Sequence, residues 1–144
     1  MYLPTPNRLS DWEVRDLVRH AAAMPPGPGG SAMLDLPPAL REEYHIALWP
    51  IVGRGWSTCR FVGLWPGQQI PLHRDSPITG VRHHIPLALN RYCVQVTENE
   101  AGVLICQHLE VGRVYTMDPT QPHGAVNWGE TIRLHLVIDV EGER

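Results

Sequence analysis

The chain has no lysine; its twelve basic residues are all arginine. Any anion site it builds must use arginine, histidine or backbone N–H groups. Cysteine is scarce as well. Cys59, Cys93 and Cys106 are odd in number, show no short metal-binding spacing and each sit in an apolar run. Small buried core residues in a reducing compartment are the expectation. No apolar run approaches the ~20 residues that span a bilayer, and the opening MYLPTPNRLS lacks the charged-then-apolar pattern of a secretory signal. The net charge of -3 gives no electrostatic reason to expect a nucleic-acid partner. These absences predict a cytoplasmic protein with neither nucleic-acid nor membrane partners.

What is present fits one domain over 1–144, long enough to bury a hydrophobic core. Residues 1–43 read as a helical N-terminal segment and a Pro/Gly loop, and 44–140 as a β-barrel core. Ser10 and Glu13 have capping-box spacing. Trp12, Leu17 and Val18, with Val14 and Ala21, predict one apolar stripe on a helix running to about Met24. Pro25-Pro26-Gly27-Pro28-Gly29-Gly30 cannot continue it. A short helical turn is expected at 38–44.

From there the pattern changes to short strands, at 45–52, 57–65, 81–89, 92–97, 103–108, 113–117, 124–128 and 131–140. Gly, Pro, Asn and Asp clusters separate them. The spacing predicts an all-β core of the antiparallel jelly-roll or cupin kind, with one N-terminal helix packed on it.

The candidate chemistry centres on His73-Arg74-Asp75. In a strand, residues two apart share a face, so the histidine and carboxylate point the same way. A later histidine, His123, delivered by the Asp118-Pro119-Thr120-Gln121-Pro122 turn, completes two histidines and one carboxylate. That set is the facial ligand set of non-haem iron oxygenases. Alone, His-x-Asp is weak: with eight histidines in the chain, chance supplies about a third of a match. A single strand histidine is more often a hydrogen-bonded structural residue. Order and context raise the reading. Arg82 and His84 share one strand face, with His83, Ile85 and Leu87 on the other. Arg133 opens the last strand and shares its face with His135, Val137 and Asp139.

The stretch from about 64 to 140 resembles the aspartyl/asparaginyl β-hydroxylase family of Fe(II)- and 2-oxoglutarate-dependent oxygenases. The matching pieces are Pro66-Gly67, His73-Arg74-Asp75, Arg82-His83-His84-Ile85-Pro86-Leu87, Gly112, the Asp118 turn, His123, Asn127-Trp128-Gly129, and Arg133 leading into Val137-Ile138-Asp139-Val140. The resemblance implies a double-stranded β-helix, with His73, Asp75 and His123 as iron ligands. It implies that Arg133 binds the distal carboxylate of 2-oxoglutarate through its planar guanidinium, with Arg82 and His84 also at the cosubstrate. The implied reaction hydroxylates a C–H bond of an amino acid, an Asp/Asn-type side chain or a small molecule, releasing succinate and CO2.

His135 stands where an aliphatic residue is expected: a cosubstrate contact, a substrate contact or a paired core histidine. His83 reads as structural or surface, and Asp139 as an end-of-strand residue with local hydrogen bonds. Trp49, Trp56, Trp65, Trp128 and Tyr115 are core residues first, though they are candidates to wall a pocket. Arg54, Arg74 and Arg91 are rim charges, by default solvated. A small molecule, amino acid or short peptide is the expected substrate. The rival readings are a cupin-type metal enzyme that does not use 2-oxoglutarate, and a non-catalytic barrel that binds a metal or ligand.

Overall fold

In the final strand, Arg133–Val140, polar and apolar residues alternate at first, and all eight are buried. Leu134, Leu136, Ile138 and Val140 point to one side and join the main hydrophobic core. Arg133, His135, Val137 and Asp139 point to the other. A strand covered on both faces belongs at the centre of a sheet, and this one does.

The protein is described here by a computed structural model covering residues 1–22, 32–36, 40, 42–44, 48, 58–75 and 80–140. In chain order the elements are β1 (Leu3–Arg8), α1 (Asp11–Ala21), β2 (Ala32–Asp35), β3 (Thr58–Leu64), β4 (Gln69–His73), β5 (Val81–Ala88), β6 (Cys93–Glu98), β7 (Leu104–Gln107), β8 (Arg113–Met117), β9 (His123–Asn127) and β10 (Arg133–Val140). The large sheet runs β1-β8-β5-β10-β3-β2 and the small one β4-β9-β6-β7, all pairs antiparallel. This is the jelly-roll architecture expected from the strand pattern and the double-stranded β-helix that the resemblance implied.

The hydrophobic core lies outside the barrel, between the large sheet and α1. Ser10 caps the helix in a full capping box with Glu13. Val14, Leu17 and Ala21 bury its inner face against a core that includes Ile85, Leu87, Leu136 and Ile138. Each fully buried Leu or Ile contributes about 1.5–3 kcal/mol. Trp12 departs from the expected stripe: it is 62% exposed, because it lies about 200° around the helix from buried Val14. The barrel interior, between the sheets, is by contrast polar. Arg82, His84, Gln95, Thr97, His123, Asn127, Arg133, His135 and Asp139 are all buried.

Three strands lie outside the expected set: β1, β2 and β4. All are edge strands. β1 carries Pro4 and Pro6 and β4 carries Pro71; proline cannot donate to a ladder, so edges tolerate it while it weakens the strand signal. β1 and β2 also show that the N-terminal 43 residues contribute strands to the sheet as well as a helix. Residues 42–44 are helical, in line with the expected turn. The Pro/Gly loop and the strand expected at 45–52 lie outside the described residues. Cys59 and Cys93 are buried, but Cys106 is exposed, since edge strand β7 turns alternate side chains to the surface.

Candidate functional site

β4 and β9 pair so that His73 stands directly opposite His123. The strands can come this close because Gly124 follows His123. A Cβ there would meet the Ile70 carbonyl oxygen at 2.5 Å and the Pro71 carbonyl carbon at 3.1 Å. The imidazoles lie 4.4 Å apart, centroid to centroid. Each is tied back in the same way: His73 Nδ1 to the Pro71 carbonyl at 2.8 Å and His123 Nδ1 to the Gln121 carbonyl at 2.7 Å. A ring that donates from Nδ1 keeps its Nε2 lone pair free for a metal.

Asp75 completes the group, although not as a strand neighbour. β4 ends at His73, and Asp75 is placed by its N–H, which donates to the Pro119 carbonyl at 3.0 Å. The Asp118 turn is itself set by the aspartate side chain, which accepts from the Thr120 N–H at 3.0 Å and hydroxyl at 2.7 Å. One turn thus positions both Asp75 and His123. Asp75 Oδ1 lies 3.3 Å from His73 Nε2, and Oδ2 lies 3.5 Å from His123 Nε2. Adjacent donors around an octahedral ion with bonds of ~2.1 Å stand about 3 Å apart. The three residues are able to hold a metal.

Arg82 bridges two carboxylates. It hydrogen-bonds Asp75 through Nη1, and Asp139 through Nε at 2.7 Å and Nη2 at 3.1 Å. Burial works to raise the Asp75 pKa, but the hydrogen bond and charge of Arg82, together with both histidines, hold it below the ordinary carboxylate value. Asp139 therefore makes long-range contacts rather than local ones, and Thr58 also donates to it at 3.2 Å. Burial lowers the pKa of His123 despite its backbone hydrogen bond, keeping it neutral and able to ligate.

Arg133 lies in the same cavity, which has a volume of about 340 Å³. It is 2% exposed, and its Nη2 donates to Gln95 Oε1 at 2.5 Å. Its Nε and Nη1 have no partner among the described residues. Burial pushes its pKa down to about 10, which still leaves it charged at neutral pH. His84 lines the cavity too, and it pairs Nδ1 to Nδ1 with His135 at 2.9 Å. Of the three readings of His135, the paired interior histidine is the arrangement observed. His83 is buried on the opposite face of β5.

Other sequence candidates fall elsewhere. Arg74 is exposed and donates to the Thr120 carbonyl at 3.4 Å; Arg91 lies over the Tyr92 ring at 5.0 Å. Trp128 is 70% exposed and so is not a core residue, whereas Tyr115 is buried and Trp65 packs on the core. Trp49, Trp56 and Arg54 lie outside the described residues. Asn127 is a structural hub: its side chain donates to the carbonyls of Leu64 at 2.8 Å and Thr131 at 2.9 Å and accepts from the Gly129 N–H at 3.1 Å. It joins the end of β3 to the turn that starts β10 at Arg133. Sequence reading passed over Tyr2, Gln95 and Arg60, which also line the cavity. Gln95 had a signal, a polar residue between Cys93 and Thr97 on the inward face of β6; Tyr2 had none.

A jelly roll with two histidines and a carboxylate lining a cavity, together with an arginine that has no carboxylate partner among the described residues, is built as a metal-dependent enzyme. Sequence and structure comparisons agree. A model of the aspartyl/asparaginyl beta-hydroxylase family matches residues 47–143, and the chain belongs to that family. It is accordingly an enzyme of the Fe(II)- and 2-oxoglutarate-dependent dioxygenase class. Among solved structures it is similar to a Pseudomonas putida prolyl-4-hydroxylase (17% identity, TM-score 0.68, 99% of this chain and 92% of that one). It is similar to HygX from Streptomyces hygroscopicus, solved with nickel and 2-oxoglutarate bound (13% identity, TM-score 0.73, 96% and 81%). A cupin domain from Bordetella pertussis also matches (14% identity, TM-score 0.53, 81% and 98%). At these identities the likeness is one of fold. Among the described residues, no helix is long and apolar enough to cross a membrane.

Proposed function

We propose that the protein hydroxylates a C–H bond of an amino acid, an Asp/Asn-type side chain or another small molecule or short peptide. In this reading His73, Asp75 and His123 hold Fe(II), and Arg133 holds the distal carboxylate of 2-oxoglutarate. The observation that carries it is Arg133: a buried guanidinium whose Nε and Nη1 have no partner among the described residues, in the cavity that the metal-binding group also lines. Leaving such donors buried and unpaired is costly, and a carboxylate is the anionic acceptor that suits a guanidinium.

The donor set suits the metal. Two neutral imidazoles and one carboxylate hold a divalent ion and leave other coordination positions open. When bound, the metal supplies, with 2-oxoglutarate and dioxygen, the oxidising chemistry that places a hydroxyl on carbon while the cosubstrate leaves as succinate and CO2. The work of the chain's own residues is positional. The Pro71 and Gln121 carbonyls keep both imidazoles in the ligating tautomer, and Arg82 orients Asp75. His84, held by His135, adds a polar group to the cosubstrate side. Val62, Ile70 and Val137 make part of the cavity wall apolar and exclude water there.

The test is an anaerobic titration of the protein with Fe(II) and 2-oxoglutarate. A weak visible absorption band should appear, and admitted oxygen should then yield succinate slowly even without substrate. Amino acids and short peptides are next screened for faster succinate release. Metal binding without cosubstrate binding would point to a cupin-type enzyme that does not use 2-oxoglutarate. Binding of neither would point to a non-catalytic barrel.

A further inference from the structure

The cavity has one wall that comes from the start of the chain. Tyr2 lies just ahead of β1, is 1% exposed, and lines the cavity shared by His73 and Arg133. Its backbone is held in both directions by one side chain. The Tyr2 N–H donates to Gln107 Oε1 at 2.8 Å, and Gln107 Nε2 donates to the Tyr2 carbonyl at 3.0 Å. Its ring stands edge-on to His84, with centroids 5.1 Å apart and planes at 87°. On its other side it packs with Tyr115 and Met117. A phenylalanine would serve all of this packing equally well, so the hydroxyl calls for its own account.

The neighbouring hydrogen bonds supply one. Gln95 gives its Oε1 to Arg133, which leaves its amide N–H groups for another partner, and Gln95 lies near the Tyr2 hydroxyl. A phenol accepts one hydrogen bond and still has its own proton to donate. Burial raises the phenol pKa, so that proton is present at any physiological pH. Among the donors on residues lining the cavity are the Tyr2 O–H and the Nε and Nη1 of Arg133.

We propose that Tyr2 is a cosubstrate-binding residue, its hydroxyl donating to the same distal carboxylate that Arg133 holds, so that the segment leading into edge strand β1 forms part of the 2-oxoglutarate site. This rests on the function proposed above. It makes the order of β1 depend on cosubstrate, because among the described residues β1 pairs with β8 alone, and Tyr2 adds an anchor through the ligand.

The test uses Tyr2→Phe in the full chain, which keeps the ring, its contact with His84 and the Gln107 clamp. Affinity for 2-oxoglutarate is measured by anaerobic titration of the Fe(II)-loaded protein, and should fall about tenfold. Metal affinity and melting temperature should stay as in the wild type. The loss should vanish for a 2-oxo acid that lacks the distal carboxylate, which a merely structural role for the hydroxyl does not predict. In hydrogen exchange, 2-oxoglutarate should slow the β1 amides of the wild type more than those of the variant. Equal affinity of both proteins for 2-oxoglutarate overturns the proposal while leaving the functional reading intact. A wild type that binds metal but no 2-oxoglutarate overturns both.

Discussion

Arg133 and the two histidines divide the site by chemistry. Arg133 is a cation with almost no water contact, and its Nε and Nη1 have no partner among the described residues, whereas His73 and His123 bring ligand atoms within 4.8 Å of one another and of Asp75. Their variants should therefore separate. Arg133→Ala should weaken 2-oxoglutarate binding about 100-fold, the scale of a lost bidentate charged pair, and leave metal affinity within about threefold. His73→Ala and His123→Ala should each abolish metal binding, and turnover with it. Metal and cosubstrate titrations under nitrogen read both effects. Unchanged 2-oxoglutarate affinity in Arg133→Ala would remove that residue from the site.

At the scale of elements, the site depends on a close approach between an edge strand and its neighbour. β4 carries His73, β9 carries His123, and Gly124 is the residue that lets their backbones meet. Gly124→Ala places a methyl group against the Ile70 carbonyl, so β4 must shift. The expected cost is about 1–3 kcal/mol of stability, with metal affinity falling at least tenfold as His73 moves from His123. Urea unfolding of the metal-free protein and metal titration test the two parts. A variant that binds metal like the wild type would mean that β4 reaches its place by other contacts. Ser10 makes a smaller claim at this scale: Ser10→Ala removes the capping box of α1 and should cost about 1 kcal/mol, read as a lowered melting temperature with cosubstrate affinity unchanged.

For the whole molecule, the consequence of a polar barrel interior is pH sensitivity. His84 and His135 are buried and paired with each other, and burial first, then the charge of Arg133, holds both well below the ordinary histidine pKa. In the fold they stay neutral, while in the unfolded chain they take up protons below about pH 6.5. The unfolded state then binds more protons, so stability falls as pH falls. Each histidine that stays neutral contributes a slope of about 1.4 kcal/mol per pH unit below 6.5. His123 and His83, also lowered by burial, act in the same direction. The urea midpoint of the metal-free protein should be level above about pH 7 and drop steadily towards pH 5. A level midpoint across that range would mean that the interior accepts these protons.

Much of this was legible in the residues alone. Seven strands of the barrel announce themselves by short apolar runs between turn clusters, and period-two alternation places Arg82 with His84, and Arg133 with His135, on the inward faces. The order His73, Asp75, Arg82, His123, Arg133 carries the family resemblance. Three things needed the tertiary structure. Among the described residues β1, β2 and β4 each have one unpaired side, and proline is tolerated in β1 and β4, so their signals are weak. The convergence of Asp75 with the histidines comes from a turn at 118–121 that is distant in sequence, and not from strand periodicity. Tyr2 and Gln95 reach the cavity only because the N-terminal strand closes on β8 and the small sheet folds over the large one. Local pattern determined which residues face inward; long-range pairing decided which of them meet.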